Sequence, residues 1–349
     1  MKECDFEVLI IGQGIAGSML AHELIRRQVS FRIMDKGSLG NTSVISSGLI
    51  NPVTGRRFVL SWMIDELLPA AMEVYSDMEK LLQTTLKQEV NIIRHLSSIR
   101  EENLWSSNRN DHSREHYMED EIGSYDLDHL FTNHNAFAKV KGGLRIFTNR
   151  LIPMLKSYLS KNNLLIEDAF NYSDLTIDKG SFFYLDWSFK YIVFAEGWHA
   201  KKNPFFQDLT YRPAKGEALV LRIPEFPEDA VIKINKFFLP LGNAKFWFGS
   251  TYEWSFEGDK PSSVKKQELI SWLDENLTLE YEIIDHIAGV RPSTKDRRPF
   301  VGRHSKFDNM YVFNGLGTKG FSLAPYWAGK LTDLIFSDAE LPLAVYPYR

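Results

Sequence analysis

The chain has 349 residues, 44% of them hydrophobic and 25% charged, which excludes global disorder and suits about two domains at roughly 150 residues each. Its 41 basic and 45 acidic residues leave a formal charge of −4, which gives no overall electrostatic reason to expect a nucleic-acid ligand. A single cysteine, Cys4, excludes an internal disulfide, a Cys-rich zinc site and an iron–sulfur cluster.

Acidic Glu3, Asp5 and Glu7 flank the first apolar run, at 8–11, so it does not read as a secretory leader. No stretch approaches the roughly 20 apolar residues of a membrane helix. A soluble cytoplasmic protein without membrane insertion is expected. Residues 6–11 are apolar and β-rich, as a buried parallel strand should be. They run into Gly12-Gln13-Gly14-Ile15-Ala16-Gly17, then a segment with helical spacing at 18–27 and a short strand at 30–34 that ends on Asp35. This is the G-x-G-x-x-G pattern in its setting of strand, turn, helix, strand and acid. Gly12 permits the tight turn, Gly14 admits a pyrophosphate close to the backbone, and Gly17 lets the helix pack on the strand. The free N–H groups of the helix start favour phosphate, and Asp35 suits a ribose hydroxyl. The pattern marks a dinucleotide without separating FAD from NAD.

Residues 36–52 crowd glycines and small hydroxyl residues without helical or strand periodicity, as chain pressed against a large ligand would. Lys36, Thr42, Ser43, Ser46, Ser47, Gly48 and Leu49 resemble the flavin-contacting loop of the D-amino-acid oxidase and glycine oxidase family of FAD enzymes. The loop at 51–57, Asn-Pro-Val-Thr-Gly-Arg-Arg, is not general to that family; it reads as a solvated basic turn, or it sets Arg56 or Arg57 at a substrate mouth. An amphipathic helix follows at 64–82. Residues 101–130 carry nine acids against Arg109 and Arg114 and read as a solvated face. His112 and His116, spaced i, i+4 without further ligands, carry no metal reading.

Gly142-Gly143 precede a helical run to about 160 and a strand at 163–167, after which Phe170 stands where the resemblance implies backbone beside an adenine. The strand at 191–195 ends on Ala195-Glu196-Gly197, and Ala195 and Gly197 match the family's small residues beside the dinucleotide. Tyr211 to Gly216 matches the family's turn into a substrate domain. Strands at 237–241 and 245–251 surround a turn at Gly242-Asn243 and imply a sheet roofing the flavin, with Phe237 or Phe238 facing substrate. Residues 288–302, Ala-Gly-Val-Arg-Pro-Ser-Thr-Lys-Asp-Arg-Arg-Pro-Phe-Val-Gly, resemble the family motif whose arginine clamps a substrate carboxylate. A guanidinium fork matches a carboxylate with two parallel hydrogen bonds, so Arg291 is the candidate anchor; a structural ion pair is the plainer alternative. A strand at 310–313 leads into Gly315, Gly317, Thr318, Lys319, Gly320 and Phe321 at the head of a helix, where N–H groups suit the anionic edge of a reduced flavin. The wording of 317–325 is closer to the oxidase domain of the enzyme that modifies wobble uridine in tRNA than to glycine oxidase.

The resemblance implies an α/β (α+β) fold, a Rossmann-type FAD-binding domain interleaved with a substrate domain on a mainly antiparallel sheet. The expected division is 1–82, 140–212 and 285–349 for FAD, with 83–139 and 213–284 for substrate. The expected chemistry is oxidation of a C–N bond of a small amine or amino acid with non-covalently held FAD. The alternatives are a flavin oxidase of modified wobble uridine in tRNA, favoured by five basic residues between Arg291 and Arg303, and a flavin-binding protein without catalysis.

Overall fold

Two sheets carry the chain in the computed structural model, which describes residues 4–37, 42–132 and 136–349. Residues 38–41 of the expected flavin loop lie outside that description. The apolar strand Phe6–Ile11 sits in the middle of the first sheet, and its last four residues are buried because both faces are covered. Phe31–Met34 and then Leu165–Ile166 lie parallel on one side of it. Trp187–Phe194 and then Met310–Asn314 lie parallel on the other. Helices Ile15–Arg26, Ile64–Leu82, Thr148–Lys161 and Gly320–Ser337 bury one shared apolar core, including Leu20, Tyr75, Leu155 and Trp327, against this sheet. An aromatic cluster of Phe182, Phe189, Phe194 and Phe206 covers the opposite face.

The second sheet runs Glu282–Arg291, Ala214–Arg222, Lys245–Gly249, Lys236–Gly242, Val231–Ile234, Lys87–Leu96, Ala136–Ile146 and Leu49–Ile50. Its pairings are antiparallel apart from Val231–Ile234 against Lys87–Leu96. Strand alternation splits its side chains cleanly. Phe238, Phe246 and Phe248 pack under the helix Ser263–Asn276 with Leu269 and Leu273. Phe237, Leu239 and Trp247 face the other way, and the Trp247 indole donates to the Ile45 carbonyl at 3.1 Å. The sheet therefore roofs the segment after the first βαβ unit.

This is the expected fold class, with local differences. Ala136–Ile146 and Glu282–Arg291 cross the expected boundaries at 140 and 285 and pair within the second sheet along their whole length. Gly142-Gly143 lie inside the former strand, and the helix starts only at Thr148. The segment expected to lack periodicity contains a short helical turn, Thr42–Ile45.

Candidate active site

The carboxyl end of Phe6–Ile11 opens into a cleft of about 460 Å³ between the two sheets. Gly12 has φ +102°, and a Cβ there would lie 2.5 Å from the Ala195 carbonyl oxygen, so only glycine makes this crossing. Gly17 serves packing: its Cβ would fall 1.9 Å from the Gly12 oxygen. Gly14 is different, because its nearest neighbour is the Ser43 hydroxyl at 3.5 Å and its outer side faces the cleft. The Ile15 N–H donates to Ser43 Oγ at 3.0 Å. Asp35 accepts from the Gln13 and Gly37 N–H groups, each at 2.8 Å, which presents its carboxylate at the end of the second strand. Lys36 lines the same wall.

A second helix start meets the first. Gly320 heads Gly320–Ser337, and a Cβ on it would lie 3.0 Å from the Ile15 side chain. Gly317, Thr318, Lys319, Gly320 and Phe321 all line the cleft, so two helix N-termini bring partial positive charge to one space. Burial lowers the Lys319 amine from its ordinary value, and neighbouring Arg298 and Arg297 add to the effect. The floor is Thr42, Ser43, Ser46, Ser47, Gly48 and Leu49. It is tied to the second sheet by Thr42 Oγ1 donating to Val290 O at 3.2 Å and to the helix Thr148–Lys161 by Thr148 Oγ1 donating to Val44 O at 2.7 Å. Gly48, at φ +66°, passes so close to Ile146 that a Cβ would sit 2.1 Å from its carbonyl oxygen.

At the roofed end stands Arg291, the last residue of Glu282–Arg291. Its guanidinium lies against Gly216, donates to Ser250 Oγ at 2.5 Å, and has its Cζ 5.0 Å from the Tyr252 ring centroid. No carboxylate pairs with it among the described residues, and its buried Nη1 has no hydrogen-bond partner among them. Burial lowers its pKa, and arginine stays charged through the ordinary pH range. The ion pair that was the plainer alternative is not formed among the described residues; a charged fork with an unsatisfied donor can pair with a carboxylate.

Most of the residues expected from sequence are brought together here: Gly12, Gly14, Ile15, Asp35, the 42–49 floor, Ala195, Gly197, the 317–321 loop, Arg291 and Phe237 all line one cleft. Others lie behind it. Ala16 and Gly17 are in the packed helix start, and Gly315, at φ +75°, packs on Thr294. Phe238 is fully buried on the far face of the roof beneath Trp272, because alternation sets it opposite Phe237. Phe170 stacks on Tyr184 at 4.5 Å within the aromatic cluster instead of lining the cleft. Thr54 and Asn51 reach the cleft, whereas Arg56 and Arg57 are exposed on the adjacent hairpin. Sequence reasoning missed Lys233, Trp247, Tyr252 and Glu196 as lining residues. Alternation across the Val231–Gly242 hairpin holds the signal for Lys233, which pairs with Phe237. Burial raises the Glu196 pKa, opposed by hydrogen bonds from the Tyr172 hydroxyl and the Asn203 amide.

The family described as FAD dependent oxidoreductase matches residues 7–334. Glycine oxidase of Pseudomonas aeruginosa is 25% identical over 163 residues, which take in 46% of this chain and 44% of that relative's length. The glycine oxidase structure of Geobacillus kaustophilus superposes with a TM-score of 0.82 at 18% identity, covering 99% of this chain and 98% of that one. The iminodiacetate oxidase structure of Chelativorans sp. BNC1 gives 0.78 at 20% identity, covering 98% and 99%.

Proposed function

The chain belongs to the FAD dependent oxidoreductase family, matching it over residues 7–334, and from that premise we propose that it oxidises a C–N bond of a small amino acid or amine. The cleft fits FAD by its own shape. Gly14 leaves open backbone where a side chain would crowd a pyrophosphate, Asp35 stands ready for a ribose, and two helix starts face anionic groups. When bound, FAD supplies the acceptor for a hydride from the substrate α-carbon, and the resulting imine is hydrolysed by water.

One observation carries the substrate class: Arg291 forms no ion pair among the described residues and keeps a buried, unsatisfied Nη1 in the same cleft as the dinucleotide cradle. It would hold the carboxylate, while Phe237, Trp247 and Tyr252 exclude water from the side facing the α-carbon. Cys4 precedes the first strand and lies 3.7 Å from Ser181 Oγ, at the end away from the cradle, which supports non-covalent FAD. The single cysteine supports a cytoplasmic setting. No helix among the described residues is long and apolar enough to cross a membrane. A second reading, oxidation of a modified tRNA base, draws on exposed Lys295 and Arg297 beside Arg298 and Lys319. Arg291→Met separates the two. Loss of two charged hydrogen bonds, about 1.5–3 kcal/mol each, should raise KM for a carboxylate substrate by about 10²–10⁴-fold while FAD stays bound. An unchanged KM would assign Arg291 to structure.

A further inference from the structure

The roof carries a second positive centre that neither the dinucleotide nor the carboxylate fork uses. Ile287, Ala218, Gly249, Phe237, Lys233 and Arg94 stand opposite one another in successive strands, so they share one face, of which Ile287, Ala218, Phe237 and Lys233 line the cleft. Arg291 works at the Gly216 and Ser250 end of this row. Lys233 works two strand spacings from Gly249, about 10 Å along the sheet. Its ammonium lies 4.6 Å from the Phe237 ring centroid.

Behind Lys233 is Arg94, only 6% exposed, with Nε and Nη1 both buried and without hydrogen-bond partners among the described residues. Its guanidinium rests 4.5 Å from the Phe58 ring centroid. Neither cation forms an ion pair among the described residues. The carboxylate whose field reaches both is Glu101, and it accepts from the Ser97 N–H at 2.9 Å and the Ser97 hydroxyl at 3.0 Å. Two adjacent, largely desolvated cations without a counter-ion are unfavourable, and aromatic faces offset only part of that. Burial, with Arg94 beside it, already lowers the Lys233 amine to about 8. An anion delivered into the cleft would relieve both groups.

We propose that Lys233, backed by Arg94, forms a second anion-binding subsite, so that the substrate is an amino acid carrying a second acid group. Arg291 takes one acid, Lys233 takes the other, and the C–N bond lies between them over Phe237. This specificity rests on the C–N oxidase reading; the subsite itself is a property of the roof. The second acid is attached either through the amine nitrogen, as in an N-carboxymethyl amino acid, or through the side chain, as in an acidic amino acid of either hand.

Calorimetric titration of the FAD-loaded enzyme with unreactive acids tests the subsite apart from turnover. Malonate, succinate and glutarate are compared with acetate, propionate and butyrate. At least one dicarboxylate should bind about tenfold or more tighter than its monocarboxylate counterpart, as one added charged hydrogen bond implies. Lys233→Met should abolish that advantage, and Lys233→Arg should retain it. Equal affinity for the two series in the wild type, or a preference that survives Lys233→Met, would overturn the proposal. The wild-type comparison decides the matter even where Lys233→Met fails to fold. Flavin reduction by N-carboxymethylglycine against sarcosine, and by D- and L-aspartate against the asparagines, then distinguishes the two attachments. A dicarboxylate preference in an enzyme whose flavin no amine reduces would refute the C–N reading and leave the subsite standing. Reduction by glycine and by acidic amino acids with equal efficiency would do the reverse.

Discussion

Replacing Gly216 by alanine adds one methyl group at the point where the Arg291 guanidinium rests on the backbone. A Cβ there falls 2.0 Å from Nη2 and 2.4 Å from both Cζ and Nη1. Ordinary contacts lie at about 3.5 Å, so the guanidinium has to withdraw by about 1.5 Å. The charge is kept, Gly216 lies within the strand Ala214–Arg222, and neither the Gly12 crossing nor the Gly320 helix start is disturbed. Misplacing a binding group by about 1 Å can cost on the order of 10²-fold. Losing one of two charged hydrogen bonds, about 1.5–3 kcal/mol, gives a factor of about 10–100. We expect kcat/KM for carboxylate substrates to fall within that range with FAD content unchanged. Anaerobic stopped-flow reduction over a range of substrate concentrations measures it. Wild-type kcat/KM in the Gly216→Ala enzyme would refute the placement of the carboxylate on Arg291.

Three further predictions concern the cradle, the roof and its pH response. Gly17→Ala sets a methyl 1.9 Å from the Gly12 oxygen, so the variant should lose about 3 kcal/mol or more and retain little FAD; thermal unfolding and released flavin measure both effects. Glu217 is fully buried against Lys215 at 2.9 Å and His286 at 2.9 Å, and Glu217→Gln should cost about 3–5 kcal/mol by urea unfolding. Burial pushes the Glu217 carboxyl up, but hydrogen bonds from Ser262 and Lys215 outweigh it and hold the group below its ordinary value. Its contribution is therefore present above the unfolded pKa of about 4.3 and lost as pH falls through the folded one, so wild type and Glu217→Gln should converge in acid. Lys233, lowered to about 8 by burial and Arg94, is the charged group of the second subsite below that pH. The preference for dicarboxylates over monocarboxylates should fade as pH rises through about 8, and a flat preference up to about pH 10 would contradict this.

The glycine-rich end of the cleft was legible because its determinants are contiguous. Gly12, Gly14, Gly17 and Asp35 belong to one βαβ unit whose geometry follows from local turn and helix physics. That Arg291 reaches the cleft was legible through its motif, although that it forms no ion pair among the described residues appears only once Gly216 and Ser250 are brought against it. Phe237 and Phe238 could not be separated by composition. Their strand parity separates them, once Phe246 and Phe248 are seen to share the helix-covered face with Phe238. Lys233 beside Arg94 was not legible, because it depends on the parallel pairing of Val231–Ile234 with Lys87–Leu96, two segments far apart in sequence. The Phe170 ring does not line the cleft, because Tyr184 and Phe194 provide an aromatic pocket for it.

The central claim is that this cleft joins FAD to the C–N bond of a carboxylate-bearing amine. Anaerobic titration of the FAD-loaded protein with amino acids and N-substituted glycines, followed by analysis of the products, tests it most directly. We predict loss of the oxidised flavin's visible absorption with at least one such substrate, together with a 2-oxo acid and the released amine or ammonia. A protein that binds FAD and is bleached by dithionite, yet by no amine in the series, would contradict it.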